Sequence, residues 1–421
     1  MSTFNQLTIY SFFVHLGCYI INLLSGLLIA EVAMHQYNTG CDVPSSFKAF
    51  TESSLPDFPQ VSNAIAFISI FINWCVLAFG FSAATNHVQS PIIAAAVFGT
   101  LVATQTNKSL SNLASVCVTM LFIAFAGMLL PGLFMHTSDS LGSMDWSIHT
   151  SSETFWTEIT SAAPILVSAM VYQNIVPSIT KLLNYDRTKT TVAIALGSFL
   201  PMAMYIAWSY GVLSGAVSTT TGADSSLNGL LYNTFSIFSI CGCSIACIMS
   251  IAEEFESFLN VSGTHPLLKL FSPNNNDDEK LCEVDEEGEV YHNTSHEQVG
   301  GSILSAPSVV LAVIPALIAA ILFSNSSESG NFTAALSASG GYGSPLLYGV
   351  IPIILAATQR YSNNQSENDE VSVDESSPNN ANFTPLVPGG AFTLGIVGFS
   401  SFGFFMQEAF NDATACFASV A

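Results

Sequence analysis

Three consecutive polar side chains, Tyr172, Gln173 and Asn174, stand in the middle of an otherwise apolar stretch. Prolines lie on both sides of this triplet, at Pro164 and Pro177. Three adjacent residues cannot share one face of a helix, and a proline cannot donate the amide hydrogen that closes a helical bond four residues back. Pro177 is therefore expected to free the carbonyl of Gln173, which inside a bilayer needs a partner or a water-lined cavity. The pattern predicts a broken helix that could hold a small ligand.

Two interpretations of this segment remain open from its residues alone. In the first, the broken helix forms one half of a binding site. In the second, the prolines kink a helix that packs against its neighbours, and Gln173 and Asn174 hydrogen-bond between helices. The candidate substrate-binding residues are Ser168, Ala169, Met170, Val171, Tyr172, Gln173 and Asn174.

Motifs for other chemistries are absent from the sequence. It contains no HExxH, GxSxG, Walker-loop or GxGxxG pattern, so neither catalytic residues nor a cofactor are predicted. The nine cysteines lack the spacing with histidines that zinc sites need, so no metal site is predicted either. Eight Lys and Arg against 30 Asp and Glu argue against a nucleic-acid-binding protein.

The composition indicates a membrane protein. Only 9% of the 421 residues are charged, half are hydrophobic, and 31 are Phe, whereas about 25% of the residues in soluble domains are charged. The mean hydropathy is +0.50. Apolar stretches long enough to cross the hydrocarbon core recur along the whole chain. An all-α, polytopic membrane protein surrounded by membrane lipids is therefore predicted.

Hydropathy predicts about ten transmembrane helices in a single membrane domain covering residues 1–421. They are placed at 8–36, 61–85, 90–106, 110–134, 158–180, 191–216, 229–259, 302–323, 332–358 and 388–410. Two polar stretches interrupt this pattern, an acidic one at 262–300 and another at 359–386. Their low hydrophobicity predicts a disordered cytoplasmic loop for the first and a polar cytoplasmic linker for the second.

The basic residues indicate an orientation, because all eight follow odd-numbered spans. They are Lys48, Lys108, Lys181, Arg187, Lys189, Lys269, Lys280 and Arg360. Loops rich in Lys and Arg stay cytoplasmic, which would place both chain termini on the other side. Since an N-terminus without a targeting signal usually starts in the cytoplasm, this orientation predicts either an unusual topology or a further helix ahead of Met1.

Other polar residues inside the predicted spans are weaker candidates. Asn22 lies in span one and Asn73 in span two. Glu31 lies near the end of span one, and Glu254 lies near the end of span seven. An ionisable group within a span is a functional hypothesis by default. Because both acids are close to the membrane surface, we interpret them as solvated or helix-capping groups.

Several motifs, in the expected order over nearly the whole chain, resemble those of the tyrosine/tryptophan permease family. They are Leu28-Ile29-Ala30-Glu31 ending span one, Gln173-Asn174-Ile175-Val176-Pro177-Ser178 with the downstream Gly197-Ser198, Pro201, Tyr205 and Trp208, Phe255-Glu256 ending span seven, Ser339-Gly340-Gly341-Tyr342-Gly343 opening span nine, and Val387-Pro388-Gly389-Gly390 opening span ten. The motif that begins at Gln173 is the most specific of them.

The resemblance implies a LeuT-like inverted-repeat transporter fold, with two five-helix repeats of opposite topology and an eleventh helix. Substrate would lie between unwound parts of the first and sixth helices, and a proton gradient would drive transport. Span five matches the sixth helix of that fold, and the first helix is expected to be missing ahead of Met1. Two positions depart from the family, because Val171 and Gln173 stand where a Gly and a His are common. Gln173 cannot carry a proton.

These observations predict a secondary active transporter of an aromatic amino acid, tyrosine or tryptophan, with the proton as coupling ion. The alternative is a truncated membrane paralogue that does not transport and acts as a sensor or binding protein. The missing first helix favours that alternative. The membrane is either the plasma membrane or an organellar inner membrane, and the residues do not distinguish them.

Overall fold

The protein is all-helical over the residues that the structure describes. The computed structural model describes residues 2–39, 46–88, 90–136, 166–167, 169–213, 227–261, 304–325, 337–369 and 385–420. Every secondary-structure element in these ranges is a helix, as the composition predicts. The acidic stretch 262–300 lies outside them, so its predicted disorder stays a prediction.

The described helices follow one another along the chain with short connections where these are described. They are α1 (Ser2–Asn38), α2 (Phe47–Ser54), α3 (Pro59–Val88), α4 (Pro91–Thr104), α5 (Asn107–His136), α6 (Val176–Leu182), α7 (Arg187–Leu213), α8 (Leu227–Val261), α9 (Ala306–Asn325), α10 (Ile351–Asp369) and α11 (Gly390–Val420). A 3-10 turn, Gln173–Ile175, precedes α6. Two π-helical segments, Ser339–Gly343 and Pro345–Val350, run directly into α10. We call these two the π segment.

Seven of the described helices are long and apolar enough to cross a membrane. They lie in α1, α3, α5, α7, α8 and α11 and in the stretch Ser339–Arg360. Two shorter apolar helices, Pro91–Thr104 and Ala306–Leu322, accompany them. Large apolar side chains cover the outer surface, including Phe67 and Phe399, which are 64% and 82% exposed. Lipid can cover such a surface. The count of ten crossings stays a prediction.

Local sequence explains how several helices begin. Ser46 caps the N-terminus of α2, and Ser90 caps that of α4, which starts at Pro91. Gly389 and Gly390 have φ angles of 98° and 53°. Only glycine adopts this left-handed region without a steric penalty, so the Gly pair predicted to open the last span turns the chain into α11.

The last two spans extend past their predicted boundaries. α10 continues to Asp369, past the end predicted for span nine at residue 358, and the polar cytoplasmic linker at 359–386 stays a prediction. α11 ends at Val420 instead of near residue 410. Hydropathy marks only the part of a helix that lies in lipid, whereas the backbone hydrogen bonds of a helix continue into water. Residues 370–384 lie outside the described ranges.

The helices pack around two large apolar clusters and a small third one, which includes Cys18 and Met170. One cluster joins α3, α4, α8 and α9 and includes Phe81 and Ile248, which are fully buried. The other joins α1, α2, α3 and the π segment and includes Phe50 and Leu347. Because α3 contributes to both clusters, it links the two groups of helices. The polar triplet of the fifth span lies against the second cluster, on the side of α1.

Candidate functional site

The helix of the fifth predicted span is broken beside the polar triplet. Val167 and Ala169 are helical, and the chain then leaves the helix at Met170, Val171 and Tyr172. Tyr172 has a φ of −141° and a ψ of −1°, which lies outside the helical range. A 3-10 turn then leads into α6. The chain is therefore irregular over about one turn between two helical pieces.

Pro177 contributes to this break differently from the prediction. The carbonyl of Gln173 accepts the amide of Val176 in the 3-10 turn, so the carbonyl that Pro177 cannot bond has another partner. Pro177 lies in the first turn of α6, where a missing amide costs no helical hydrogen bond. Pro177 therefore starts the second helical piece, and the irregular backbone lies just ahead of the triplet. Pro164 lies outside the described residues.

Gln173 ties the break to α1. Its side chain is fully buried, and its Oε1 accepts the amide of Tyr172 at 2.9 Å. Its Nε2 donates to Oδ1 of Asn22 at 2.6 Å. The hydroxyl of Tyr172 donates to the backbone carbonyl of Asn22 at 3.0 Å. Two of the three triplet side chains thus converge on a single residue in the middle of α1.

Two neighbours on α1 make this convergence possible. Asn22 donates its own Nδ2 to the carbonyl of Cys18 at 2.9 Å, which leaves Oδ1 free to accept from Gln173. One turn further on is Gly26, where an added Cβ would lie 2.6 Å from the hydroxyl oxygen of Tyr172. Gly26 is therefore required for the ring of Tyr172 to approach α1.

Asn174 connects the break to two other elements. Its Nδ2 donates to Oδ1 of Asn73 on α3 at 3.1 Å, and its Oδ1 accepts the hydroxyl of Tyr348 in the π segment. The backbone carbonyl of Tyr348 accepts the hydroxyl of Ser25 on α1. The triplet therefore reaches α1 on one side and α3 and the π segment on the other, as three adjacent residues must when they cannot share one face.

A cavity lies beside the break, between α1, the π segment and α11. Its volume is about 20 Å³, enough for about one water molecule, so this conformation leaves no room in it for an amino acid. Its polar lining groups include Asn22, Ser344, Tyr348 and Ser401, and its apolar lining includes Val167 and Phe404. A few polar groups in a mainly apolar wall are typical of sites for small molecules.

The predicted site residues that the structure describes lie next to this cavity and do not line it. Ala169 is exposed, Met170 packs against Cys18, and Val171 and Tyr172 pack on the cluster of α1. None of the six that the structure describes lines the cavity, and Ser168 lies outside the described residues. Val167 does line it, and Asn22 connects it to Gln173. The interhelical bonds of Gln173 and Asn174 fit the interpretation in which these residues hold helices together. A break beside a cavity fits the interpretation as half of a binding site, so the two interpretations are compatible.

Comparison with known proteins decides the family. The profile of the tryptophan/tyrosine permease family matches residues 1–229, which is more than half of the 421 residues.

The chain belongs to the tryptophan/tyrosine permease family.

No curated protein matches the chain. Membership in a permease family supports a transporter of aromatic amino acids at the level of the family. Together with the seven long apolar helices, it makes the chain a multi-pass membrane protein.

The permease holds a buried ion pair that sequence reasoning missed. Glu31 on α1 is 1% exposed, and its Oε1 lies 2.6 Å from Nε of Arg360 on α10. The interpretation of Glu31 as a solvated or capping group is therefore wrong. The two residues are 329 positions apart, and each is close to the end of a span, so proximity in sequence gave no signal.

Glu254 caps a helix, as its position near a span end predicts. Its two carboxylate oxygens accept the amides of Phe47 at 2.7 Å and Lys48 at 3.2 Å. These amides belong to the first turn of α2, where helices lack internal acceptors. Glu254 therefore fastens α2 to α8 at the end of the bundle that also carries Glu31 and Arg360. Among the described residues, no group of three or more His, Cys, Asp or Glu could hold a metal ion.

Proposed function

We propose that this permease is a secondary active transporter of tyrosine or tryptophan, coupled to protons. The observation that carries the proposal is the helix break at Met170–Tyr172 beside a cavity, in a member of an aromatic amino acid permease family. Interrupted membrane helices of this kind form substrate sites near the bilayer midplane in many secondary transporters.

The proposed site consists of the segment 168–174 and the wall of the cavity. The side chains of Gln173 and Asn174 are engaged with Asn22, Asn73 and Tyr348. Their role in the proposal is to hold the break in place beside the cavity, whose polar lining groups face the substrate. Apolar lining residues such as Phe404 suit an aromatic side chain.

A LeuT-like inverted-repeat fold is part of the proposal. It is supported by the broken fifth span and by the long π segment, since irregular backbone inside membrane helices is tolerated where it lines a cavity. Proton coupling rests on the family resemblance. Gln173 cannot be the proton carrier, because an amide does not titrate in this range.

Transport in a defined membrane tests the proposal. The purified protein is reconstituted in liposomes, and uptake of radiolabelled tyrosine and tryptophan is measured with an inward proton gradient. We expect saturable uptake that a protonophore abolishes, and no uptake of labelled lysine. Uptake that persists without a proton gradient would show that the protein transports the amino acid but is not coupled to protons.

A binding measurement on the same preparation separates transport from binding alone. Saturable binding of labelled tyrosine without uptake would overturn the transport proposal in favour of a sensor or binding protein. The absence of both binding and uptake, from protein that elutes as a single folded species, would contradict the proposed substrate class.

A further inference from the structure

The ion pair of Glu31 and Arg360 is a bidentate contact inside the helix bundle. Oε1 of Glu31 lies 2.6 Å from Nε of Arg360, and Oε2 lies 2.8 Å from Nη2. The side chains are 2% and 13% exposed. Parallel hydrogen bonds between a guanidinium and a carboxylate are the strongest polar contact that two side chains make. Removing either partner leaves an uncompensated buried charge.

The pair also holds a third piece of chain. Oε2 of Glu31 accepts the amides of Leu386 at 2.8 Å and Val387 at 3.1 Å, and Nη2 of Arg360 donates to the carbonyl of Val387 at 3.3 Å. Arg187, at the start of α7, donates to the carbonyl of Pro385 at 2.5 Å. We call residues 385–387, which lead into α11, the strap. The strap thus joins α1, α7 and α10.

The strap and the ion pair lie to one side of the cavity. Along α1, Glu31 lies nine residues beyond the cavity residue Asn22, or about 14 Å along the helix axis. Along the π segment and α10, Arg360 lies eleven residues beyond the cavity residue Gly349, or about 16 Å at the same rise. Two separate helices therefore place the pair at a similar depth below the cavity, toward the same end of the bundle.

A buried ion pair often stabilises a fold less than a well-packed apolar contact at the same place would. Ionisable groups within membrane spans usually have a role in function. Nη1 of Arg360 is buried and has no hydrogen-bond partner among the described residues. The two hydrogen bonds of the ion pair are therefore strong enough to hold the bundle closed. The guanidinium of Arg360 still has one nitrogen without a partner among the described residues in this closed form.

We propose that the Glu31–Arg360 pair and the strap form a latch, which closes this end of the bundle beneath the cavity and opens when the cavity communicates with that side of the membrane. The proposal rests on the proposed transport function, because only alternating access gives the latch a reason to open. Opening separates α1 from α10 and releases the strap.

Cys18 is a native reporter for the latch. It lines the cavity and is 2% exposed. In vesicles, a membrane-impermeant maleimide is added to the side that carries Arg360, and labelling of Cys18 is followed by mass spectrometry of its peptide. Because the peptide is identified directly, the other cysteines need not be replaced. The variant Glu31→Gln removes the charge but keeps an oxygen that can accept from the strap.

We expect Glu31→Gln to label at least about tenfold faster than the wild type from that side, since an unpaired buried Arg360 destabilises the closed form. Reagent added to the opposite side should label Glu31→Gln no faster than the wild type, because opening one side does not open the other. The matched control is Glu52→Gln, which removes a half-exposed carboxylate at the same end, 3.4 Å from Lys48. It should label like the wild type.

Equal labelling of wild type and Glu31→Gln would overturn the latch. If Glu31→Gln does not fold, Arg360→Lys is tested instead, because a lysine keeps the charge but loses the bidentate contact. Cys18 of Arg360→Lys should be labelled faster than Cys18 of the wild type. Unchanged labelling would overturn the latch. Labelling needs no substrate flux, so the two proposals fail separately. Faster labelling without any amino acid uptake would contradict the transport proposal alone, and normal uptake with unchanged labelling would contradict the latch alone.

Discussion

The side-chain amides of Gln173 and Asn22 lie 2.6 Å apart, from Nε2 to Oδ1, and join the broken helix to the middle of α1. Both residues are buried, and both carry further bonds, Gln173 from the amide of Tyr172 and Asn22 to the carbonyl of Cys18. The position of the break relative to the cavity therefore depends on this pair.

The variant Asn22→Leu should destabilise the protein by about 1–3 kcal/mol, because Nε2 of Gln173 loses its side-chain acceptor and keeps only the longer bond to the carbonyl of residue 22, at 3.4 Å. The double variant Asn22→Leu/Gln173→Leu should lose less than the sum of the two single variants, since two apolar side chains can replace a buried polar pair at little cost. Unfolding in mixed detergent micelles measures all four proteins. Additive losses would show that the two amides do not interact.

Gly26→Ala should disturb the break directly. An added Cβ would lie 2.6 Å from the hydroxyl oxygen of Tyr172 and 3.0 Å from its ring, so either the ring or α1 must shift. We expect a lower thermal unfolding temperature and weaker tyrosine binding. Gly17→Ala on the same helix is the matched control, since nothing lies within 4 Å of its added Cβ. It should be neutral or slightly stabilising, because alanine favours helix by about 0.5–1 kcal/mol over glycine. Equal effects of the two variants would contradict this role of Gly26.

Tyr348→Phe removes only the hydroxyl that donates to Asn174. The ring contact with Phe47 and the backbone carbonyl that accepts from Ser25 remain. We expect unchanged expression and an affinity for labelled tyrosine about threefold to tenfold weaker, as for loss of a hydrogen bond worth about 1 kcal/mol. Tyr342→Phe in the same π segment is the control, because its hydroxyl bonds to Asp412 at 2.5 Å, away from the cavity. A similar loss in both variants would point to a general effect on the π segment.

Asp186 makes the start of α7 sensitive to pH. The backbone amide of Lys189, at 3.0 Å, and the ammonium of the same residue hold the pKa of Asp186 below its ordinary value. A carboxyl whose pKa is lowered by folding stabilises the protein above its unfolded pKa, and that contribution disappears as the pH falls through the folded pKa. Asp186→Ala should therefore unfold at a lower temperature than wild type at pH 7, and the difference should disappear as the pH falls through the lowered pKa of Asp186 in the folded protein. A difference that does not change with pH would mean that the charge of Asp186 does not matter.

The sequence by itself was enough for the class of protein and for the places where its helices run. A chain with so few charges and such long apolar stretches needs lipid around it, because water would not solvate that surface. Each predicted span contains helix in its described part. The family motifs around Gln173 led to the permease family. A disturbed helix at the triplet was also predicted, because prolines lie on both sides of it, but the residues alone left open whether it was a break or a packed kink.

The tertiary structure alone decided which groups meet. Glu31 and Arg360 are 329 positions apart, and nothing local in either span indicates that their side chains pair in the interior. The same holds for the partners of Asn174, which come from α3 and the π segment, and for the cavity between α1, the π segment and α11. Hydropathy reports how each helix meets lipid, whereas contacts between helices depend on their order, rotation and distance, which are set only when the whole bundle packs.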